Sequence, residues 1–186
     1  MTDRYYAAEI EGYASIFNSA DDNGDVIAPG AFAQTISGRT DGPVRMLYQH
    51  DAAQPIGRWL SLREDARGLF IRGELLLNSD RAREVYALLE GGAIDGLSIG
   101  FQTVTATKTA SGRRITRAAL WEVSVVTFPM AKAARILKVG KPKPARRQDT
   151  LSPESLAQNH LAQDHLAQDH FAESLRSARA ILAPAA

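Results

Sequence analysis

Ser98, within Gly96-Leu97-Ser98-Ile99-Gly100-Phe101, and the isolated His50 upstream could together support acyl-transfer chemistry. Downstream, the stretch Leu120-Trp121-Glu122-Val123-Ser124-Val125-Val126 brings a carboxylate. A serine hydroxyl is a poor nucleophile until an imidazole takes its proton and a third polar group fixes the imidazole tautomer. His50 is the only imidazole in residues 1–140, so any serine chemistry in that span must use it as base.

Gly96-Leu97-Ser98-Ile99-Gly100 matches G-x-S-x-G formally. The nucleophile elbow of α/β-hydrolases needs a strand before its serine, a helix after it, and partners in the order serine, acid, histidine. Here a helical segment and Gly91-Gly92 precede Ser98, a β-rich run follows it, and the later histidines lie only in a repeat near the C-terminus. The elbow is therefore excluded. A histidine, serine, acid order remains open, since such triads recur on unrelated folds and are defined by geometry. So does a bland reading, in which Ser98 serves strand packing and His50 is a surface or satisfied core residue.

The elements that must position these groups follow from patterning. Residues 8–17 alternate polar and apolar and read as a strand; a dense turn follows at 18–25, and Pro29-Gly30 marks another. Residues 31–36 read as a short helix, and residues 44–49 as a strand delivering His50 at its end. Residues 56–63 and 69–77 read as two strands joined by a polar turn ending in Gly68. The clearest helix opens at Asn78-Ser79-Asp80, offers Ala82, Val85, Tyr86, Leu88 and Leu89 to a core, and stops at Gly91-Gly92. Residues 99–107 and 115–128, β-branched on either side of a Ser111-Gly112 turn, read as a hairpin. Many strands and few helices predict a mainly β (α+β) barrel or sandwich with helices packed outside.

Composition bounds the function classes. With 186 residues and 45% hydrophobic content, there is room for one cored domain and a tail. A net charge of +1 gives no electrostatic reason to expect a nucleic-acid or membrane partner. The absence of cysteine excludes thiol catalysis and disulfides. No basic-then-apolar leader and no run of about 18 apolar residues is present, so the expectation is a soluble, intracellular chain.

Composition changes at Gly140. The expected division is a domain over 1–140, a Lys/Pro-rich linker over 141–155, and a repeat-containing tail over 156–186, disordered or partly helical. The tail repeats Leu-Ala-Gln-Asn/Asp-His three times, ending at His160, His165 and His170. A period of five advances about 140° on a helix, so the leucines form no continuous apolar face. The three histidines likewise fall on different faces, which makes a solvated tail a better account than metal binding. No cofactor or compact metal site is expected.

At the residues that could do chemistry, the chain resembles the prohead proteases of tailed bacteriophages, themselves distantly similar to herpesvirus assemblins. Four ordered blocks across about residues 8–137 carry the resemblance. They are Gly12-Tyr13-Ala14-Ser15-Ile16-Phe17-Asn18 with Asp21, Gly24-Asp25-Val26-Ile27 and Pro29-Gly30-Ala31-Phe32; Tyr48-Gln49-His50-Asp51 with Pro55-Ile56-Gly57; Gly96-Leu97-Ser98-Ile99-Gly100-Phe101; and Trp121-Glu122-Val123-Ser124-Val125-Val126-Thr127-Phe128-Pro129. One departure follows Pro129, where Met130-Ala131-Lys132 replaces the family's usual Ala-Asn pair.

The resemblance implies a herpesvirus-protease-like β-barrel with surrounding helices. It implies a serine endopeptidase with Ser98 as nucleophile, His50 as general base and then acid, and Glu122 orienting His50; Asp51 is the second choice for the acid. On a strand Glu122 and Ser124 share a face, so Ser124 could also reach the site. The bland reading of Glu122 is an ion pair to Arg113, Arg114 or Arg117 across the hairpin. Oxyanion donors could be the amides near Ile99 and Gly100 or an arginine of residues 113–117.

The implied substrate is the scaffold or scaffold-like N-terminal segment of a major capsid protein, and the protease itself. Self-association is a further expectation, and the implied location is the immature capsid in the bacterial cytoplasm. A non-catalytic assembly or scaffold factor is the alternative function, and a small-substrate esterase a third.

Overall fold

The computed structural model describes residues 5–38 and 43–145. Its elements in chain order are β1 (Tyr5–Ile16), β2 (Val26–Ile27), α1 (Ala33–Ile36), β3 (Arg45–Tyr48), β4 (Asp51–Glu64), β5 (Gly68–Leu76), α2 (Asp80–Glu90), β6 (Gly96–Lys108), β7 (Arg113–Val126), β8 (Ile136–Val139) and β9 (Lys143–Ala145). The fold is mainly β, as the patterning predicts.

The strands are hydrogen-bonded in the order β6-β7-β3-β4-β5-β1-β8. The path then closes on itself. Gly96 bridges Arg135, Leu97 N–H donates to the Ala134 carbonyl at 3.1 Å, and Ile136 N–H donates to the Asp95 carbonyl at 2.8 Å. Closure makes a barrel and removes a sheet edge that would otherwise template aggregation. The approach is tight at Gly12, where an added Cβ would lie 2.2 Å from the Arg135 carbonyl oxygen, so only glycine fits.

Alternation decides the core. Ala8, Ile10 and Ala14 of β1 face inward at period two, as do Leu69, Ile71 and Leu75 of β5. α2 starts where Ser79 Oγ accepts the Ala82 N–H and packs Ala82, Val85 and Leu89 toward β4 and β5. Leu88, grouped with these in the sequence reading, is exposed. α1 is anchored by Thr35, whose hydroxyl accepts the Leu120 N–H at 3.1 Å.

One boundary moves. The linker expected over 141–155 contains β9, which pairs with Tyr5–Ala7 of β1, so the folded unit runs through Ala145. β1 is longer than β8 and leaves backbone groups at its N-terminal end for another strand. Pro144 is tolerated there because an edge strand can spare one N–H. The remaining linker and the histidine repeat lie outside the described residues.

Candidate active site

A single extra residue in β7 turns Glu122 outward. Along β6 and β7, Phe101 pairs with Leu120 and Gly100 with Glu122, leaving Trp121 unpaired as a bulge. Before the bulge Ala118 and Leu120 face the core; after it Val123 and Val125 do. Without the bulge Glu122 would continue the inward series. With it, Glu122 and Ser124 share the outer face with their cross-strand partners Gly100 and Ser98.

His50 reaches the same face from a two-residue turn. β3 lies parallel to β7, with Leu47 opposite Ser124 and Tyr48 opposite Val125. Tyr48 pairs with Asp51 across the β3–β4 hairpin, so Gln49 and His50 are its central residues, with φ of 55° and 60°. Two positive φ values suit the twist of a tight hairpin, but that turn normally uses Asn-Gly. For side chains without that freedom, each costs about 1–2 kcal/mol.

β7 holds the turn against this strain. Gln49 N–H donates to the Val125 carbonyl at 3.0 Å, and His50 N–H to Ser124 Oγ at 3.0 Å. Gln49 Nε2 donates to Thr127 Oγ1 at 2.7 Å, while Thr127 N–H returns a bond to Gln49 Oε1 at 3.3 Å.

The imidazole meets the carboxylate directly, with His50 Nδ1 2.6 Å from Glu122 Oε1. Glu122 Oε2 accepts the Ser124 hydroxyl at 2.7 Å. The carboxylate folds over Gly100, where a Cβ would lie 2.1 Å from Oε1; the absent side chain is what makes room for it. The hydrogen bond that His50 donates to Glu122, opposed in part by desolvation and reinforced by the carboxylate's charge, raises the His50 pKa above the ordinary histidine value. With its proton on Nδ1, the ring has Nε2 available as a base.

Asp51, Arg113 and Arg114 are engaged elsewhere. Asp51 is exposed and its Oδ1 accepts the Ala53 N–H at 2.8 Å, the role of a turn cap, so Glu122 and not Asp51 touches the imidazole. Arg113 forms an ion pair with the buried Asp25, and Arg114 donates to Asn18 Oδ1 at 3.1 Å. The cross-hairpin ion pair to Glu122 from either of these arginines is not formed.

Ser98 lies opposite Ser124 on the β6–β7 ladder, and Cβ atoms of such pairs are about 4.5–5.5 Å apart. The residue is 6% exposed. Its hydroxyl makes no hydrogen bond to His50 or any other described residue. A nucleophile-to-base contact is often looser before substrate binds. Beside Ser98 a cleft of about 250 Å³ is lined by Leu97, Ile99, Ser15, Asn23, Asp25 and Met130 among others. Strand N–H groups alternate sides, so Ile99 N–H points to the same edge as Leu97 N–H, an edge met at Gly96 and Leu97 by Arg135 and Ala134 just before β8.

The structure thus brings His50, Glu122 and Ser124 into contact and sets Ser98 beside them on the same face. Sequence reasoning missed Gln49 and Thr127. Their only linear signal is a polar side chain at each end of an otherwise apolar pairing, too weak to read without the fold.

Residues 2–146 match the family described as caudovirus prohead serine protease. The chain is 39% identical over 130 residues to the prohead protease of Enterobacteria phage HK97, covering 68% of this chain and 57% of that protein. It is 32% identical over 125 residues to the prohead protease of Escherichia phage T5, covering 65% and 58%. The chain therefore spans a little over half the length of these relatives. Among solved structures, the bacteriophage T4 capsid assembly protease has the same fold, with a TM-score of 0.55 at 14% identity, covering 65% of this chain and 82% of that one.

Proposed function

This chain belongs to the caudovirus prohead serine protease family, and we propose that it is a serine endopeptidase of capsid maturation. The observation that carries the reading is the 2.6 Å contact between His50 Nδ1 and Glu122 Oε1 on the face that also presents Ser98. In the proposed mechanism Ser98 Oγ attacks the scissile carbonyl carbon as His50 Nε2 takes its proton. Glu122 stabilises the resulting imidazolium. Ile99 N–H donates to the developing oxyanion, a contribution worth about 3 kcal/mol. Collapse breaks the C–N bond, with His50 returning the proton to the leaving amine, and water activated by the same imidazole hydrolyses the acyl-enzyme.

The proposed substrate is the scaffold or scaffold-like N-terminal segment of a major capsid protein, together with the protease itself, inside the immature capsid. Self-association belongs to the same proposal, because an enclosed enzyme works at high local concentration. The proposed domain division is a protease domain ending at Ala145 followed by a targeting tail. Removing residues 146–186 should preserve peptide cleavage and reduce incorporation into particles; undiminished incorporation would overturn the tail's role.

The test is co-expression with the major capsid protein of the same particle, comparing wild type with Ser98→Ala and His50→Ala by intact mass spectrometry. Capsid protein shortened at its N-terminus by wild type alone supports the reading. Full-length capsid protein in all three samples, with shells still forming, favours the non-catalytic assembly factor instead.

A further inference from the structure

We propose that Ser124 is a positioning residue for His50, closing a ring of hydrogen bonds that ties the imidazole to its own backbone. This inference rests on the protease reading for its catalytic consequence. The ring runs from His50 N–H to Ser124 Oγ at 3.0 Å, from the Ser124 hydroxyl to Glu122 Oε2 at 2.7 Å, and from Glu122 Oε1 to His50 Nδ1 at 2.6 Å. Both ends of one residue are held by a single carboxylate and a single hydroxyl.

The directions of these bonds are forced. A backbone N–H can only donate, so Ser124 Oγ must accept from His50, and the one hydroxyl proton is then available for Glu122. The carboxylate has its second oxygen left for Nδ1, which must carry the proton. The ring therefore selects the tautomer whose Nε2 is free to act as base.

Rigidity makes the ring effective. Ser124 is fully buried on β7, between Val123 and Val125 of the core, so its hydroxyl cannot drift. His50 sits in a left-handed turn with an exposed side chain, and its ring would otherwise rotate freely. Bonds joined in one network fix geometry better than the same bonds made separately, and this network is anchored at its buried member, Ser124. Ser124 reaches the reacting atoms only through His50 and Glu122, so its effect is on geometry and not on substrate contact.

The test combines nitrogen NMR with kinetics on the full chain. With ¹⁵N-labelled histidine, and His50→Gln to assign the signal, neutral His50 in wild type should be the Nδ1–H tautomer alone. Ser124→Ala should admit the Nε2–H form and lower kcat on the order of 10²-fold with KM kept within about twofold, less than the ~10⁴-fold that a fully wrong tautomer costs in a serine triad. If Ser124→Ala is unstable, Ser124→Cys keeps the size and weakens both bonds, and the same movement is expected. A His50 signal that stays wholly Nδ1–H in the variant overturns the proposal, whatever the cleavage rates. A shifted tautomer in a protein whose wild type cleaves no capsid protein would instead leave the positioning intact and sink the protease reading.

Discussion

Ser98 and Ser124 face each other across the β6–β7 ladder, one with an uncommitted hydroxyl and the other with a fully committed one. The difference follows from what lies next to each. Ser124 is adjacent to the β3–β4 turn and takes the His50 N–H, whereas Ser98 is beside a cleft where no described group claims its hydroxyl. Two chemically identical side chains thus have separate tasks, one as the proposed nucleophile and one as support.

Cleavage should rise with pH through a midpoint above the ordinary histidine value of about 6.5, because His50 must be neutral to accept a proton and Glu122 raises its pKa. The stabilising contribution of the charged pair has the opposite course. It is fully present below the unfolded-state pKa and disappears as pH climbs through the raised folded value. Glu122→Gln should move the acid limb of the rate profile downward and cost kcat as much as ~10⁴-fold. An unmoved limb would show that Glu122 is not the group acting on His50.

Gly100→Ala should impair catalysis more than folding. Its Cβ would overlap the Glu122 carboxylate, the mobile end of a side chain, so the carboxylate swings off His50 while the ladder persists. Kinetics and thermal melts on Gly100→Ala, Glu122→Ala and the double variant check this as a cycle. Once Glu122 is shortened, the added methyl should have almost no further effect on activity.

The Gln49-His50 turn should show its strain in a pair of substitutions. Gln49→Ala and Gln49→Gly both lose the two side-chain bonds with Thr127, but only glycine relieves the positive φ. Denaturant unfolding should find the alanine variant less stable by about 1 kcal/mol. Equal stabilities would mean that the turn relaxes when its clasp is removed.

Asp25→Asn should destabilise the barrel by roughly 1–3 kcal/mol at neutral pH, reduced from the cost of a fully buried pair because Arg113 is half exposed. The Arg113 hydrogen bond holds the Asp25 pKa below the usual carboxylate range, with burial opposing. That contribution is present above the unfolded value and is lost as pH falls through the folded one. Wild type and variant should therefore converge in stability in strong acid, measured by thermal unfolding across pH.

Much of the fold was legible from alternation in β1, turn residues between strands and β-branched runs. Residues 8–17 were readable as a strand from period two, 56–63 and 69–77 as two strands from the polar turn that joins them, and α2 from its Ser79 cap and Gly91-Gly92 stop. The β7 run was readable as β but not as bulged, since a one-residue insertion leaves no mark in composition. β9 was hidden for a different reason: Lys-Pro-Lys-Pro reads as linker, and only the free end of β1 recruits it.

By itself the sequence determined which chemical groups exist and which local conformations they favour. One imidazole in the first 140 residues and a serine between glycines pointed to His50 and Ser98, while Glu122 was implied by the family resemblance, with Asp51 the second choice for the acid. The tertiary structure decided which of these meet. His50 contacts Glu122 and Ser124 across separations of 72 and 74 positions, distances that no local propensity spans. Parallel pairing of β3 with β7 brings the turn alongside, and the Trp121 bulge turns the carboxylate to the outer face. Register and closure are properties of the whole barrel, because moving one strand by a single residue would exchange every side chain between core and surface.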